Sequence, residues 1–289
     1  DALRNEHFIP DSIAELLAQL NASTRRDPLV LDLDGDGIET VGTEAGVLFD
    51  HTGDGIAQGT GWVSADDGLL VFDIDGNGTI DSGRELFGDN TLLTDGTTAE
   101  HGFEALKELD TNNDGVIDLN DSAYSQLQVW QDVNQDGISQ ASELKSLSEL
   151  GISSIGVDET ERVNINQNGN EIAMTSLFTR NGEDFEIGQV NYSSDTFHAT
   201  FNDSITLSEQ AQNLPDLQGS GGLRSLREAV TLNTDLADAV EQFAAATTRQ
   251  EQRALMNEIL WQWSLTSETN TSYHKAMQIN DLYLDREGF

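Results

Sequence analysis

Two kinds of chemistry-bearing residue stand side by side near the start of the chain. Asp27 and Pro28 form the one Asp-Pro bond in 289 residues, and Asp32, Asp34 and Asp36 follow at every second position. An aspartate can attack its own main-chain carbonyl with its side chain and close a five-membered cyclic anhydride. The nucleophile is tethered to its target, so its effective concentration is high. The proline nitrogen is a tertiary amide that departs as a secondary amine once protonated; His51 and Tyr124 are candidates for the proton donor. A plainer reading also stands: proline biases the preceding residue toward extended backbone, as suits a linker entering a strand.

The spaced carboxylates recur as Asp, x, Asp/Asn, x, Asp/Asn, Gly. Copies begin at Asp32 ("DLDGDG"), Asp73 ("DIDGNG"), Asp110 ("DTNNDG") and Asp132 ("DVNQDG"), with a less complete one at Asp50 ("DHTGDG"). Calcium takes six to eight oxygens, and the twelve-residue EF-hand loop supplies them from positions 1, 3, 5, 7, 9 and 12, with glycine at 6. The Asp132 loop fits with Asn134, Asp136, the Ile138 carbonyl, Gln140 near position 9 and Glu143. The Asp110 loop offers Asn112, Asp114, the Val116 carbonyl, Asp118 and Asp121. These two begin twenty-two residues apart, leaving one helix to serve both as in a paired EF-hand. The Asp73 loop offers Asp75, Asn77, Thr79 and Asp81, but its glutamate, Glu85, falls one position late. The Asp32 loop lacks a twelfth ligand, which Glu39 or an acid distant in sequence must supply. Asp50 and Asp54, with Thr52, make the fifth candidate. A solvated acidic surface explains one such motif but not four within about a hundred residues. Magnesium prefers a rigid octahedron and retained waters, so calcium is the expected cation.

Composition points the same way. The chain carries 52 acidic and 14 basic residues, a formal charge of -38. It repels phosphates and anionic membranes, and it repels itself when compact, so cations are its expected partners. Its hydrophobic content of 37%, with four Trp and eleven Phe, argues against disorder throughout. The absence of cysteine removes disulfides, thiolate metal sites and a cysteine nucleophile. No apolar run is long enough to span a bilayer and no signal peptide is visible; the first residue, Asp, suggests a fragment of a longer protein.

Along the chain, residues 11–21 read as a short amphipathic helix, followed by the linker "NASTRR". Strands are expected at Leu29–Leu31, Gly68–Phe72 and Ile152–Val157, and helices in "AEHGFEALKEL", "SAYSQLQVW" and "SELKSLSEL". Asn168-Gly169 and Asn181-Gly182 signal hairpins between alternating segments. Beyond Pro215 and "QGSGG", apolar stripes at Leu223/Leu226/Val230, Leu236/Val240/Phe243 and Leu255/Ile259/Trp263 predict helices. The expected fold is α+β. It comprises an EF-hand-like helix-loop-helix pair with short strands and a β-hairpin region, followed by a small helical domain.

The segments "RDPLVLDLDGDGIET", "GTGWVSADDGLLVFDIDGNGTIDSGRELFGD" and "WQDVNQDGISQASELKSLSELGI" resemble the self-processing module of repeat-in-toxin proteins of the FrpC-like kind. The likeness runs on through "YSSDTFHATF" and covers about residues 27–205. "LPDLQGSGGLRSLREAV" and "LMNEILWQW" resemble the haemolysin-type calcium-binding-related domain of the same proteins. The resemblance implies three parts: residues 1–27 ending at a scissile aspartate, a module over 28–205, and a helical domain over 206–289. It implies type I secretion from a Gram-negative bacterium, and cleavage of Asp27–Pro28 when calcium is met outside the cell. It further implies transfer of the freed Asp27 to a lysine amine of another protein. The chain's own lysines are only Lys107, Lys145 and Lys275. The rival expectation is a calcium-stabilised binding or adhesion module that cuts nothing. No zinc motif, nucleophile elbow or acid/base pair supports a conventional hydrolase.

Overall fold

The computed structural model describes residues 27–267; the predicted helix at 11–21 and Lys275 lie outside them. The described chain falls into two compact units, the first ending at Asn202 and the second beginning at Asp203.

The first unit is built on strands. Its short early elements are β1 (Leu29–Leu31), β2 (Thr40–Val41), β3 (Leu48–Phe49), β4 (Ile56–Thr60), β5 (Trp62–Val63) and β6 (Gly68–Phe72). One six-residue helix, α1 (Gly102–Lys107), follows, capped by the His101 side chain, which accepts from the Glu104 amide. Then come β7 (Val116–Asp118), β8 (Leu127–Trp130), β9 (Leu144–Ser146), β10 (Ile152–Gly156), β11 (Thr160–Gln167), β12 (Asn170–Arg180), β13 (Glu183–Asn191) and β14 (Ser194–Phe201). Nine strands make one sheet in the order β7-β10-β12-β13-β1-β6-β8-β9, with β11 added on β12, and every pairing is antiparallel. Small sheets β14-β4-β3 and β2-β5 complete the unit.

The apolar runs "LVL" and "GLLVF" form inner strands because the sheet is covered on both faces. Side chains alternate across a strand. Leu29, Leu31, Leu70, Leu127, Val129 and Ile187 therefore join one core with Phe103 of α1. Val30, Leu69, Val71, Trp130 and Val190 join the other core, with Trp62, Val63 and Phe49 of the small sheets. β1 lies between β13 and β6, with all three residues wholly buried. Pro28 is tied in as well, its carbonyl accepting from the Val190 amide at 3.0 Å.

The α+β, EF-hand expectation is overturned. "SAYSQLQVW" gives one turn and then β8, and "SELKSLSEL" gives β9. The Asp110 loop is therefore entered by a helix and left by a strand pairing, and the Asp132 loop runs from strand to strand. Pairing of Leu127–Trp130 with β6 decides the matter: Leu127 and Trp130 are buried on opposite faces, which a strand can do. A segment as short as Leu127–Trp130 does not distinguish helix from strand by period alone. The expected partnership of the Asp110 and Asp132 loops also gives way. β7, within the Asp110 loop, pairs with β10. The Asp132 loop instead meets the Asp73 loop at position eight of each: the Ile80 amide donates to Ser139 Oγ at 2.6 Å, and that hydroxyl donates to the Ile80 carbonyl at 3.2 Å.

The strands at 29–31 and 68–72, α1, and both Asn-Gly hairpins, β11-β12 and β12-β13, stand where the patterning puts them. The second unit holds α2 (Glu209–Gln212), α3 (Leu226–Leu232), α4 (Thr234–Ala245) and α5 (Arg249–Ser264), packed through Leu226, Val230, Leu236, Val240 and Ile259. Leu223 precedes α3 rather than joining it. Capping boxes at Ser225/Glu228 and Thr248/Glu251 fix two of the helix starts.

Truncating Leu31→Ala should cost about 2–5 kcal/mol in urea unfolding, because its cavity cannot collapse between two filled layers. Leu177→Ala, at a side chain 56% exposed, should stay within about 0.5 kcal/mol. Equal losses would contradict the two-layer packing.

Candidate functional site

Each acidic loop is organised by its first carboxylate, which gathers backbone N–H groups from the turn that follows. Asp32 accepts from Gly35 and Gly37. Asp50 accepts from Gly53, Asp54 and Gly55. Asp73 accepts from Gly76, Asn77 and Gly78. Asp110 accepts from Asp114 and Gly115, and Asp132 from Asp136 and Gly137. Positions four and six have positive φ in all five loops: residues 35/37, 53/55, 76/78, 113/115 and 135/137. That geometry requires the glycine at position six. The Asp50 loop is thus a full backbone copy of the other four despite its thinner sequence match.

The later carboxylates gather differently from loop to loop. Asp32, Asp34 and Asp36 each bring an oxygen within 4.8 Å of the others, as do Asp73, Asp75 and Glu85. Glu85 therefore reaches the first residues of its loop although it sits one position late. A third group, Asp34, Glu39 and Asp67, shares Asp34 with the first. Asp67 escaped the sequence reading because "SADDG" looks like an ordinary turn. It is wholly buried, accepting from the Leu33 amide at 3.0 Å and the Glu39 amide at 2.9 Å.

In the Asp110 loop the buried Asp121 ties the loop ends, accepting from Thr111 N, Thr111 Oγ1 and Asp118 N. Asn112 donates to Asp114, the Val116 amide donates to Asp114, and Asp118 accepts from Asn120. In the Asp132 loop Asp132 also accepts from Trp62 Nε1 at 2.8 Å, and Glu143 accepts from Trp130 Nε1 at 3.3 Å and Gln140 N at 3.2 Å. Asn134 donates to Asp136, and the exposed Ile138 gives its amide to the same carboxylate. Asn77 links Asp75 and Asp81 through its side-chain amide and accepts from Thr79. Asp54 accepts from the Ile56 amide, and Thr52 lies against Asp50. The loops at Asp50, Asp73 and Asp132 line one cleft of about 900 Å³, with Asp81, Asp136 and Arg84 in its wall.

Burial strains these acids. It raises the carboxyls of Asp50, Asp132 and Glu85, against hydrogen bonds that act the other way. Asp67 is pushed up to about 7 by burial, with the Asp32 and Asp66 charges adding to it. Glu39 also rises to about 7, through burial and then its hydrogen bond and charge interaction with Asp36. Asp121 is held low: hydrogen bonds from Asp118 and Thr111 outweigh its burial. Oε1 of Glu85 and Oε2 of Glu39 are buried and meet no hydrogen-bond donor among the described residues. Hard oxygens left over in clusters of three suit a divalent cation such as calcium.

The Asp27–Pro28 bond lies beside a small cavity of about 10 Å³, room for about one water. His51, Gly83, Leu86, Gly88, Asp89 and Asn90 line it with the two bonded residues. Asp27 is 2% exposed, and its Oδ1 accepts from the Asp89 amide at 2.9 Å. A Cβ on Gly88 would stand 2.8 Å from that oxygen, so only glycine lets the chain approach so closely. Of the two nominated proton donors, His51 faces this cavity. Tyr124 does not line it: it packs in the α1-side core and donates to the Ile152 carbonyl at 2.5 Å. His51 Nε2 lies 3.0 Å from Thr60 Oγ1, whose own hydrogen goes to the Gly61 carbonyl.

Fold and site together define an acidic-loop β module built around a buried Asp-Pro junction. The chain matches the SPM domain model over residues 29–193 and belongs to that family. It is similar to the "Iron-regulated protein FrpA" of Neisseria meningitidis serogroup C, 49% identical over 253 residues. That alignment covers 86% of this chain and 22% of the relative, so the chain spans under a quarter of that protein's length. No helix of the described residues is long and apolar enough to cross a membrane.

The raised carboxyls set a pH dependence. Asp67 and Glu39 bind protons more tightly folded than unfolded, so their contribution is full below about pH 4 and is lost as pH rises through about 7. In chelator the thermal midpoint should fall by roughly 5 °C or more between pH 5 and pH 8. Asp67→Asn should flatten that slope, as read by calorimetry.

Proposed function

We propose that the chain is a calcium-triggered self-cleaving module that breaks its own Asp27–Pro28 bond, and that it can pass the new C-terminal aspartyl group to a lysine of another protein. The carrying observation is the burial of this bond beside a one-water cavity, with its aspartate gripped by the Asp89 amide. A linker aspartate that merely leads into a strand has no reason to be enclosed so. Membership of the SPM domain family supports the reading.

The chemistry follows from the tethered carboxylate. A side-chain oxygen of Asp27 attacks the Asp27 carbonyl carbon and forms the C–O bond of a five-membered anhydride. The C–N bond to Pro28 breaks, and the proline nitrogen takes a proton and leaves as a secondary amine. Water then opens the anhydride to free Asp27, or a lysine amine opens it to an isopeptide bond. β1 holds the leaving side: Pro28 is fixed by Val190 and followed by three buried residues. Gly88 and Asp89 hold the attacking side. Calcium, when bound, supplies the positive charge that lets the loop carboxylates stay ionised inside a folded, self-repelling chain.

Loops of this type in extracellular modules bind at about 10⁻⁴–10⁻³ M calcium, which suits a module idle in the cell and filled after secretion. The acceptor is expected on another chain. Lys107 is engaged with Asp158 at 3.1 Å, and Lys145 lies in β9.

The test is intact-mass spectrometry of the whole chain, purified in chelator and given millimolar calcium. Residues 1–27 should be released over hours, with adducts joined through lysine. Asp27→Ala should slow release at least about 100-fold while keeping the calcium-induced fold. A chain that folds on calcium and stays whole would leave a calcium-stabilised binding module in place of an enzyme.

A further inference from the structure

The 3₁₀ turn Gly83–Glu85 stands between one acidic loop and the Asp-Pro cavity. On the loop side, Glu85 joins Asp73 and Asp75, one oxygen from each lying within 4.8 Å of the others. Glu85 is 5% exposed; its Oε2 accepts from the Asp81 amide at 2.9 Å, and its Oε1 is buried without a donor among the described residues. A buried carboxylate oxygen without a donor is costly to keep, and no ion pair among the described residues reaches Glu85. A divalent cation between the three acids answers that oxygen.

On the cavity side, the residues that follow Glu85 form the wall against Asp27. Leu86 bridges to Val71 of β6, Gly88 packs on the Asp27 carboxylate, and the Asp89 amide holds its Oδ1. Thr91 makes this segment a single stiff piece. Its hydroxyl donates to the Leu86 carbonyl at 2.7 Å and accepts from the Gly88 amide at 3.0 Å, and its own amide donates to the Gly88 carbonyl at 3.1 Å. At the other end the Gly83 amide donates to the Asp50 carbonyl at 2.8 Å. Gly83 also lies so close to the His51 carbonyl that a Cβ would stand 1.9 Å from it. Displacement of Glu85 therefore displaces the grip on Asp27, because no slack lies between them.

We infer that a divalent cation held by Asp73, Asp75 and Glu85 fixes the 86–90 segment and thereby the Asp89–Asp27 grip, making this loop a direct trigger of the Asp27–Pro28 bond. The last step rests on the self-cleavage reading; the ordering of the segment does not.

The experiment titrates the whole chelated chain with calcium and reads two quantities before cleavage begins. Calorimetry gives the number of bound ions, and hydrogen exchange gives the protection of peptides covering residues 86–90. Calcium should slow exchange there at least about tenfold in the parent chain. Glu85→Gln should lose one bound equivalent and that protection while tryptophan fluorescence still reports the calcium-induced fold, and its cleavage should slow at least about tenfold in parallel. Asp75→Asn, at an exposed side chain whose loss leaves the core untouched, should do the same and keeps the test open if Glu85→Gln does not fold. Variants that lose the equivalent but keep the protection, or keep every equivalent, would overturn the inference. A parent chain that never cleaves would sink the self-cleavage reading alone, since the protection comparison would still decide this one.

Discussion

Carboxylates buried without cationic side chains to meet them are the constraint on which this module is built. With 52 acids against 14 bases, arginine and lysine are too few to partner most of them, and in the loops backbone amides take their place. Asp32, Asp50, Asp110 and Asp132 are each buried and each collect the N–H groups of a glycine turn. Asp67 does the same across a longer span, joining the amides of Leu33 and Glu39. Amides shape a carboxylate's surroundings but do not cancel its charge, so Glu39 and Asp67 cling to their protons up to about pH 7. A fold arranged this way leaves negative charge for a cation to neutralise, and the proposed calcium trigger draws on that.

The two-faced sheet turns that local property into a shared one. β1 carries Leu29 and Leu31 into one core and Val30 into the other, so its placement depends on both. The Asp-Pro junction is the residue pair just before this strand. The acidic loops hang from the ends of the same strands: the Asp32 loop follows β1, the Asp73 loop follows β6 and the Asp132 loop follows β8. Ser139 and Ile80 knit the last two together. Under the proposed calcium trigger, these shared strands are the route from the loops to the start of β1.

Much of this was legible in the sequence. Loop positions one and six follow from local backbone chemistry that a motif states completely. The Asn-Gly hairpins and the fully apolar strands follow from turn geometry and two-sided burial. What failed was the inference from loop to flanking helix. "SAYSQLQVW" satisfies a helical spacing, but Trp130 and Leu127 bury on opposite faces of a strand whose partner β6 lies far back in the sequence. Long-range pairing of that kind leaves no local mark. Asp67 was missed for the same reason, since its role comes from meeting Asp34 and Glu39 across 28 or more residues. Glu85 was readable only as a misfit, one place late; the 3₁₀ turn at Gly83–Glu85 absorbs the offset. His51 was a nomination without geometry, and the cavity it shares with Asp27 and Pro28 gives it one.

The proposed chemistry comes down to whether the Asp27 side chain itself breaks the bond. Running the calcium-triggered reaction in hydroxylamine and mapping the new C-terminus by mass spectrometry tests this most directly. A cyclic anhydride has two electrophilic carbonyls, so the released fragment should carry a hydroxamate on either carboxyl of Asp27. The hydroxamate fraction should rise with hydroxylamine while the rate of bond breaking stays constant. A fragment ending only in free acid at every hydroxylamine concentration would contradict the anhydride and point to direct attack by water.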